Sequence, residues 1–152
     1  MNFSYREIGL IASLAVTLLV FGNYFLGFFA NIDAATSGQN GSSDLIRLVI
    51  LVVILEVIIH SFLAILYVEQ LRDERDQLIQ RMAYRNSYWF LIVSLWFVVV
   101  QLLAIGSDGW FGVDYLALFT TSYGLAHLLL LLFVLAEVIN FITQLYYYRK
   151  GI

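Results

Sequence analysis

Four uninterrupted apolar stretches, residues 8–30, 45–68, 87–105 and 123–147, constrain this chain more than any other feature. Each is about long enough to cross the ~30 Å hydrocarbon core of a bilayer, which takes about 20 helical residues. In hydrocarbon every backbone N–H and C=O must be bonded within the protein, a condition met only by helices and closed barrels. Barrel strands alternate apolar and polar positions over about ten residues. These stretches do not alternate, so they predict helices. The expected fold is an all-α membrane protein, four transmembrane helices in an antiparallel bundle, forming one domain over residues 1–152. The composition agrees: with 62% hydrophobic and 12% charged residues, the chain departs from water-soluble domains, which are near half apolar and about a quarter charged.

The first stretch follows Arg6 and runs for about 23 residues, longer than the 7–15 of a secretory leader's apolar region, so it reads as a retained span. The sequence has no cysteine, which excludes disulfides, thiol chemistry and cysteine-ligated metal. A net charge of -3 gives no argument for a nucleic-acid partner. Orientation follows from the cations, since Lys and Arg near span ends are retained in the cytoplasm. Arg6 precedes the first span, Arg72, Arg75, Arg81 and Arg85 lie between the second and third, and Arg149 and Lys150 follow the fourth. Arg47 alone falls on the other side. This distribution places both termini in the cytoplasm.

Two connections are expected outside. "NIDAATSGQNGSSD" is small and polar, with Asp44 placed to cap the second span, and its Asn40 matches a glycosylation acceptor that matters only in a secretory pathway. "IGSDGWFGVDYLALFTTSYG" carries Trp110, Tyr115 and Tyr123, rings suited to the headgroup region, and predicts a short interfacial helix. The cytoplasmic link "EQLRDERDQLIQRMAYRNSYW" has no Gly or Pro to turn it. Asp73 is positioned to cap free N–H groups and Asp76 to sit in the first turn, where the helix dipole favours negative charge. Leu78, Ile79 and Met82 then share one face while Arg75, Gln80 and Arg81 project to water or headgroups. A solvated, capped turn is the simplest reading. The functional one is a cytoplasmic partner surface made by Asp73, Glu74, Arg75, Asp76, Arg81 and Arg85.

A faint duplication runs through the chain. "SYREIGLIASL" parallels "AYRNSYWFLIVSL", and "ILEVIIHSFLAILY" parallels "LAEVINFITQLYYY", so that Glu56-Val57-Ile58 matches Glu137-Val138-Ile139. The units would be residues 1–72 and 73–152, two tandem helical hairpins related by a pseudo-two-fold axis along the membrane normal.

The polar residues inside the apolar stretches are the candidate site. Glu56 lies 16 residues from Arg72 and Glu137 lies 12 from Arg149, which at helical rise places both acids about 18 to 24 Å from the inner charges. An acid at such depth costs at least ~2.5 kcal/mol on insertion scales and generally faces the bundle interior, paired. His60 follows Glu56 by one helical turn, and Asn140 and Gln144 continue a polar stripe from Glu137. With Gln101 on the third span, and with Asn23 as a further candidate, Glu56, His60, Gln101, Glu137 and Asn140 make a loose intramembrane polar site. Interhelical hydrogen bonding alone, at about 0.6 kcal/mol each, would justify Gln101, His127, Asn140 and Gln144. A divalent metal held by Glu56, His60 and Glu137 suits the chemistry of carboxylate and imidazole, though no Glu-x-x-His or His-x-x-x-His pattern supports it. Haem between His60 and His127 is disfavoured, because their levels differ by roughly 15 Å. Proton- or cation-coupled transport would use the acids as an exchange site, but the spans lack the Gly/Pro breaks of larger transporters. The run Tyr146-Tyr147-Tyr148 ahead of Arg149 reads as an interfacial anchor.

The stretch "DERDQLIQRMAYRNSYW", with Asp73, Glu74, Arg75, Asp76, Ile79, Ala83, Arg85 and Tyr88, resembles a motif of uncharacterised small four-span prokaryotic integral membrane proteins with a cytoplasmic Asp-Glu-Arg-Asp opening. The resemblance implies a multi-pass protein of a prokaryotic inner membrane, with a regulatory role in which the cytoplasmic turn meets a soluble partner. The expected function is therefore a non-enzymatic sensor, regulator or accessory subunit, without a cofactor, in contact with lipid and with a cytoplasmic protein or a second copy of itself. The alternative is a small transporter using Glu56 and Glu137, and the third reading is a membrane metal-binding protein. No nucleophile-base pair or phosphate loop marks an enzyme.

Overall fold

The computed structural model describes residues 5–30, 74–105 and 121–151, with isolated helical residues between 46 and 61. Three long helices result: α1 (Tyr5–Ala30), α2 (Glu74–Ile105) and α3 (Ser122–Lys150). The sequence contains no proline to break them. Glu74 and Asp76 occupy the first turn of α2, where carboxylates complement the helix dipole. At the start of α3 the Thr121 hydroxyl accepts from Gly124 N at 3.1 Å, supplying a partner to an N–H that the helix cannot satisfy. At its end Arg149 and Lys150 fill the last turn, and Gly151 adopts a left-handed conformation (φ 74°) as its N–H donates to the Tyr147 carbonyl at 3.3 Å. A side chain at Gly151 would be strained there.

Polar contacts fix the relative directions. Arg6 of α1 pairs with Asp76 of α2, the Tyr148 hydroxyl of α3 donates to the same Asp76 at 2.8 Å, and Arg149 Nε donates to Glu7 at 3.1 Å. The first turns of α1 and α2 therefore meet the last turn of α3 at one charged end. At the opposite end Phe28 of α1 stacks on His127 of α3. Hence α1 and α2 run parallel, and α3 runs antiparallel to both. α3 is the common partner, packing against α1 along one side and α2 along another.

The buried positions show how. On α1, Ser13, Thr17, Phe21, Phe25 and Phe28 are buried, recurring every three or four residues down one face. Phe21, Phe25 and Phe28 close on Val134, with Tyr24, Tyr123, Leu130, Leu131 and Val138 around them. On α2, Ile79 and Ala83 are 1% and 0% exposed and mark the contact nearer the charged end, while Val98 is buried further along. Apolar surface has little to gain by leaving lipid for protein, so helices in a bilayer associate through close packing and hydrogen bonds. The small Ala83 and the aromatic face of α1 serve these two needs.

Among the described residues three helices, not four, are long and apolar enough to cross a membrane: Arg6–Ala30, Glu74–Leu103 and Ser122–Lys150. This corrects the expected four-span antiparallel bundle and its pair of hairpins. The stretch expected as a second span, residues 45–68, has no described helix of that length, and none of the described side chains between 46 and 61 is buried. A hydropathy window measures the cost of transfer to lipid, and it tests neither helix continuity nor packing. The helix of the third span begins within the cytoplasmic link, where Asp73 and Asp76 predict a helix start, and α2 is continuous from Glu74. Within it Ile79 is buried and Met82 half-buried, while Leu78, expected on the same face, is exposed. The two expected outer connections and the start of the cytoplasmic link, including Asn40, Asp44, Trp110, Tyr115 and Asp73, lie outside the described residues.

Candidate functional site

At the charged end, Asp76 serves as the hub. It takes the Arg6 guanidinium on one oxygen and the Tyr148 hydroxyl on the other, while Arg75 Nη2 donates to the Tyr148 carbonyl at 3.5 Å. Glu7, mostly buried, holds the half-exposed Arg149 beside it. Lys150 lies over the Tyr146 ring, 5.7 Å from its centroid. The network ties all three helices together. Glu74, Arg81 and Arg85 are left exposed on α2.

Toward the other end, His127 is 1% exposed. Its Nδ1 lies 2.8 Å from the Tyr123 carbonyl, which can only accept, so Nδ1 carries the hydrogen. In the neutral ring Nε2 then accepts from the Tyr24 hydroxyl, 2.6 Å away on α1. The imidazole is stacked at 4.3 Å on Phe28 and packed at 4.2 Å on Tyr123. Both ring nitrogens are engaged. The group functions as a latch between α1 and α3.

Between these levels a groove of about 440 Å³ separates α2 from α3. Its α2 wall is Tyr84, Arg85, Ser87, Tyr88 and Leu91, and its α3 wall is Phe133, Ala136 and Glu137. The Ser87 hydroxyl donates to the Tyr84 carbonyl at 3.1 Å within α2. The groove places a cation and a carboxylate among aromatic and aliphatic surface, with a volume within the range of small-ligand sites. It is the candidate functional site.

The residues expected to form the intramembrane site do not all meet here. Glu137 lines the groove, half-buried. Asn140 is buried and its Oδ1 accepts from Gln144 Nε2 at 3.0 Å, a pair closed within α3. Gln101 is half-buried near the far end of α2. Taking Asp76 and Tyr148 as level with each other, Gln101 stands about 20 Å beyond Glu137 at helical rise, so the two do not share a site. Asn23 is exposed on α1. Glu56 and His60 lie outside the described residues, so Glu137 is the only placed member of the suggested metal set. Among the described residues no three His, Cys, Asp or Glu side chains gather as a metal site would require. Of the suggested partner surface, Glu74, Arg75, Arg81 and Arg85 are exposed, Asp76 is drawn into the interhelical network, and Asp73 lies outside the described residues.

Sequence reasoning missed the latch. His127 had been noted as a hydrogen-bonding residue, but neither Tyr24 nor Phe28 was connected with it. The available signals were Tyr123 one turn before His127 and the aromatic stripe of α1. Arg6 and Arg149, the cations flanking the first and last spans, each pair with an acid of another helix.

Three long apolar helices, joined by polar contacts satisfied within the molecule, define an integral membrane protein. No known protein family, curated protein or solved structure matches the chain.

Proposed function

We propose that the protein is a non-enzymatic regulatory or accessory component of a prokaryotic inner membrane, with its charged end on the cation-rich cytoplasmic side. One observation carries this reading: the buried polar side chains of the helices have partners within the protein. His127 holds Tyr24 and Tyr123, Gln144 holds Asn140, and no buried side-chain nitrogen or oxygen among the described residues lacks a partner. A transporter needs groups that exchange protons or ions along a path, whereas the Tyr24–His127 contact locks α1 to α3 in register. Glu74, Arg81 and Arg85 give the charged end an exposed surface for a cytoplasmic partner, and rim charges of this kind set partner choice and association rate.

The test pairs two measurements on the full chain. In proteoliposomes, wild type and Glu137→Gln are expected to show the same proton and cation leak as protein-free vesicles. In the native membrane, cross-linking to a cytoplasmic partner is expected to be lost in Glu74→Lys/Arg81→Glu. Flux above background that Glu137→Gln abolishes would establish the transport reading instead.

A further inference from the structure

The outer face of α2 carries a feature that the regulatory reading does not explain. Arg81 and Arg85 stand four residues apart, neighbours on one helical face. Ala83, midway between them and 0% exposed, points nearly the opposite way at about 100° per residue, so the arginine face looks away from the packed one. Both arginines are exposed, and neither has an ion-pair or hydrogen-bond partner among the described residues. They stand about 8 and 14 Å along the helix from Asp76 at the ion-paired end, and a headgroup layer is about 5–8 Å thick. With the ion pairs at the outer edge of that layer, Arg81 lies at its inner edge and Arg85 just inside the hydrocarbon. Helical side chains lean toward the helix N-terminus, which for α2 is the charged end, so both guanidiniums extend back among the lipid phosphates. Tyr84 and Tyr88, 61% and 62% exposed, flank them as interfacial rings do, and the same face continues through the exposed Leu95 and Val99. Two like charges one turn apart repel each other. Asp76 and Glu7 hold Arg6 and Arg149, Glu137 has an interaction of its own, and Glu74 stands about 10 Å outward from Arg81.

We propose that Arg81 and Arg85 bind the phosphate of an anionic phospholipid of the phosphatidylglycerol type, with an acyl chain laid along Tyr88, Leu95 and Val99. One phosphate diester offers acceptors to two guanidinium forks at once, and a shared anion offsets the repulsion between them. An amine-bearing zwitterion would satisfy the forks but set its ammonium beside two cations, with the nearer carboxylates engaged and Glu74 beyond the reach of its two methylenes. A glycerol headgroup presents hydroxyls there instead, so the charge of the site selects the anionic lipid. The apolar face beyond the arginines suits a phosphate that carries acyl chains rather than a free anion. This assignment goes beyond the regulatory reading and does not depend on it.

The test is lipid retention by the full chain, purified from bilayers of equal phosphatidylethanolamine and phosphatidylglycerol and read by native mass spectrometry. Wild type is expected to retain phosphatidylglycerol about twentyfold over phosphatidylethanolamine, the scale of two arginines at a lipid surface. Arg81→Gln and Arg85→Gln, both at exposed positions, are each expected to lower that preference about fivefold. The double variant is expected to show none, with the helical circular dichroism unchanged. Lys150→Gln removes a cation from the same end, one that lies over the Tyr146 ring on α3, and is expected to change the preference by less than about twofold, within the scatter of independent sites. Equal retention of the two lipids by wild type, or a preference that survives in the double variant, would overturn the proposal. So would a loss in Lys150→Gln as large as in either arginine variant, by showing that the end merely attracts bulk headgroups.

Discussion

Replacing His127 by Phe while Tyr24 is replaced by Phe, singly and together, isolates the latch between α1 and α3. His127→Phe preserves a flat ring against Phe28 and Tyr123, whose rings stand 4.3 and 4.2 Å from the imidazole, but removes both nitrogens. The Tyr24 hydroxyl, 2.6 Å from Nε2 in the native protein, is then left without that acceptor. Interhelical hydrogen bonds in membranes average about 0.6 kcal/mol and reach about 1.7. This one is short and its imidazole is fully buried, which places it in the upper half of that range. Tyr24→Phe is expected to cost about 1 kcal/mol and His127→Phe about 1–2, including the freed Tyr123 carbonyl contact. If both lose the same bond, the double variant costs about 1 kcal/mol less than the sum. Reversible unfolding in mixed micelles, followed by circular dichroism across a denaturing-detergent titration, measures the four stabilities. A coupling below about 0.3 kcal/mol would refute the latch, since that is within the scatter expected of independent sites.

Asp76→Asn weakens the Arg6 pair and the acceptor for Tyr148 at once, and the partners are partly exposed. The expected loss is about 1 kcal/mol, held down by solvent screening, and appears as faster hydrogen exchange in the first turns of α1 and α2. Ala83→Leu forces a larger side chain into a site that is 0% exposed and is expected to cost about 1–3 kcal/mol, with loosened packing of α2 on α3 seen by cross-linking. Gln144→Leu leaves the Asn140 carbonyl oxygen without its donor and is expected to cost about 1 kcal/mol in the same detergent titration, whereas Asn140→Leu/Gln144→Leu, which removes both partners, is expected to be near neutral.

The long helices were legible because the solvent dictates them. A run such as residues 123–147 has no alternative in hydrocarbon but to bond its backbone internally, and α3 covers it with the caps Thr121 and Gly151 at its ends. The start of α2 was legible from Asp73 and Asp76, residues that favour a helix N-terminus. The described residues contain three helices long enough to span, and the apolar run 45–68 lies largely outside them. The sequence did not reveal which polar residues meet. Glu137 and Gln101 fall at different levels because α2 begins eleven residues before Arg85, which carries Gln101 further from the charged end. The weak repeat equates Arg6 with Arg85, yet the structure sets Arg6 level with Asp76. Partners on different helices, such as Glu7 with Arg149 or Tyr24 with His127, leave no periodicity in a single chain.

The central claim is that the three described apolar helices cross the bilayer with α3 antiparallel to α1 and α2, joined at a charged end by Asp76 and at the other by His127. Because the chain has no cysteine, spin labels are introduced cleanly at exposed positions in lipid nanodiscs. Pulsed electron resonance is expected to find Phe29→Cys close to Ser122→Cys, Glu74→Cys close to Lys150→Cys, and Phe29→Cys more than about 30 Å from Lys150→Cys, most of the length of α3. Finding Phe29 nearer to Lys150 than to Ser122 would contradict the arrangement.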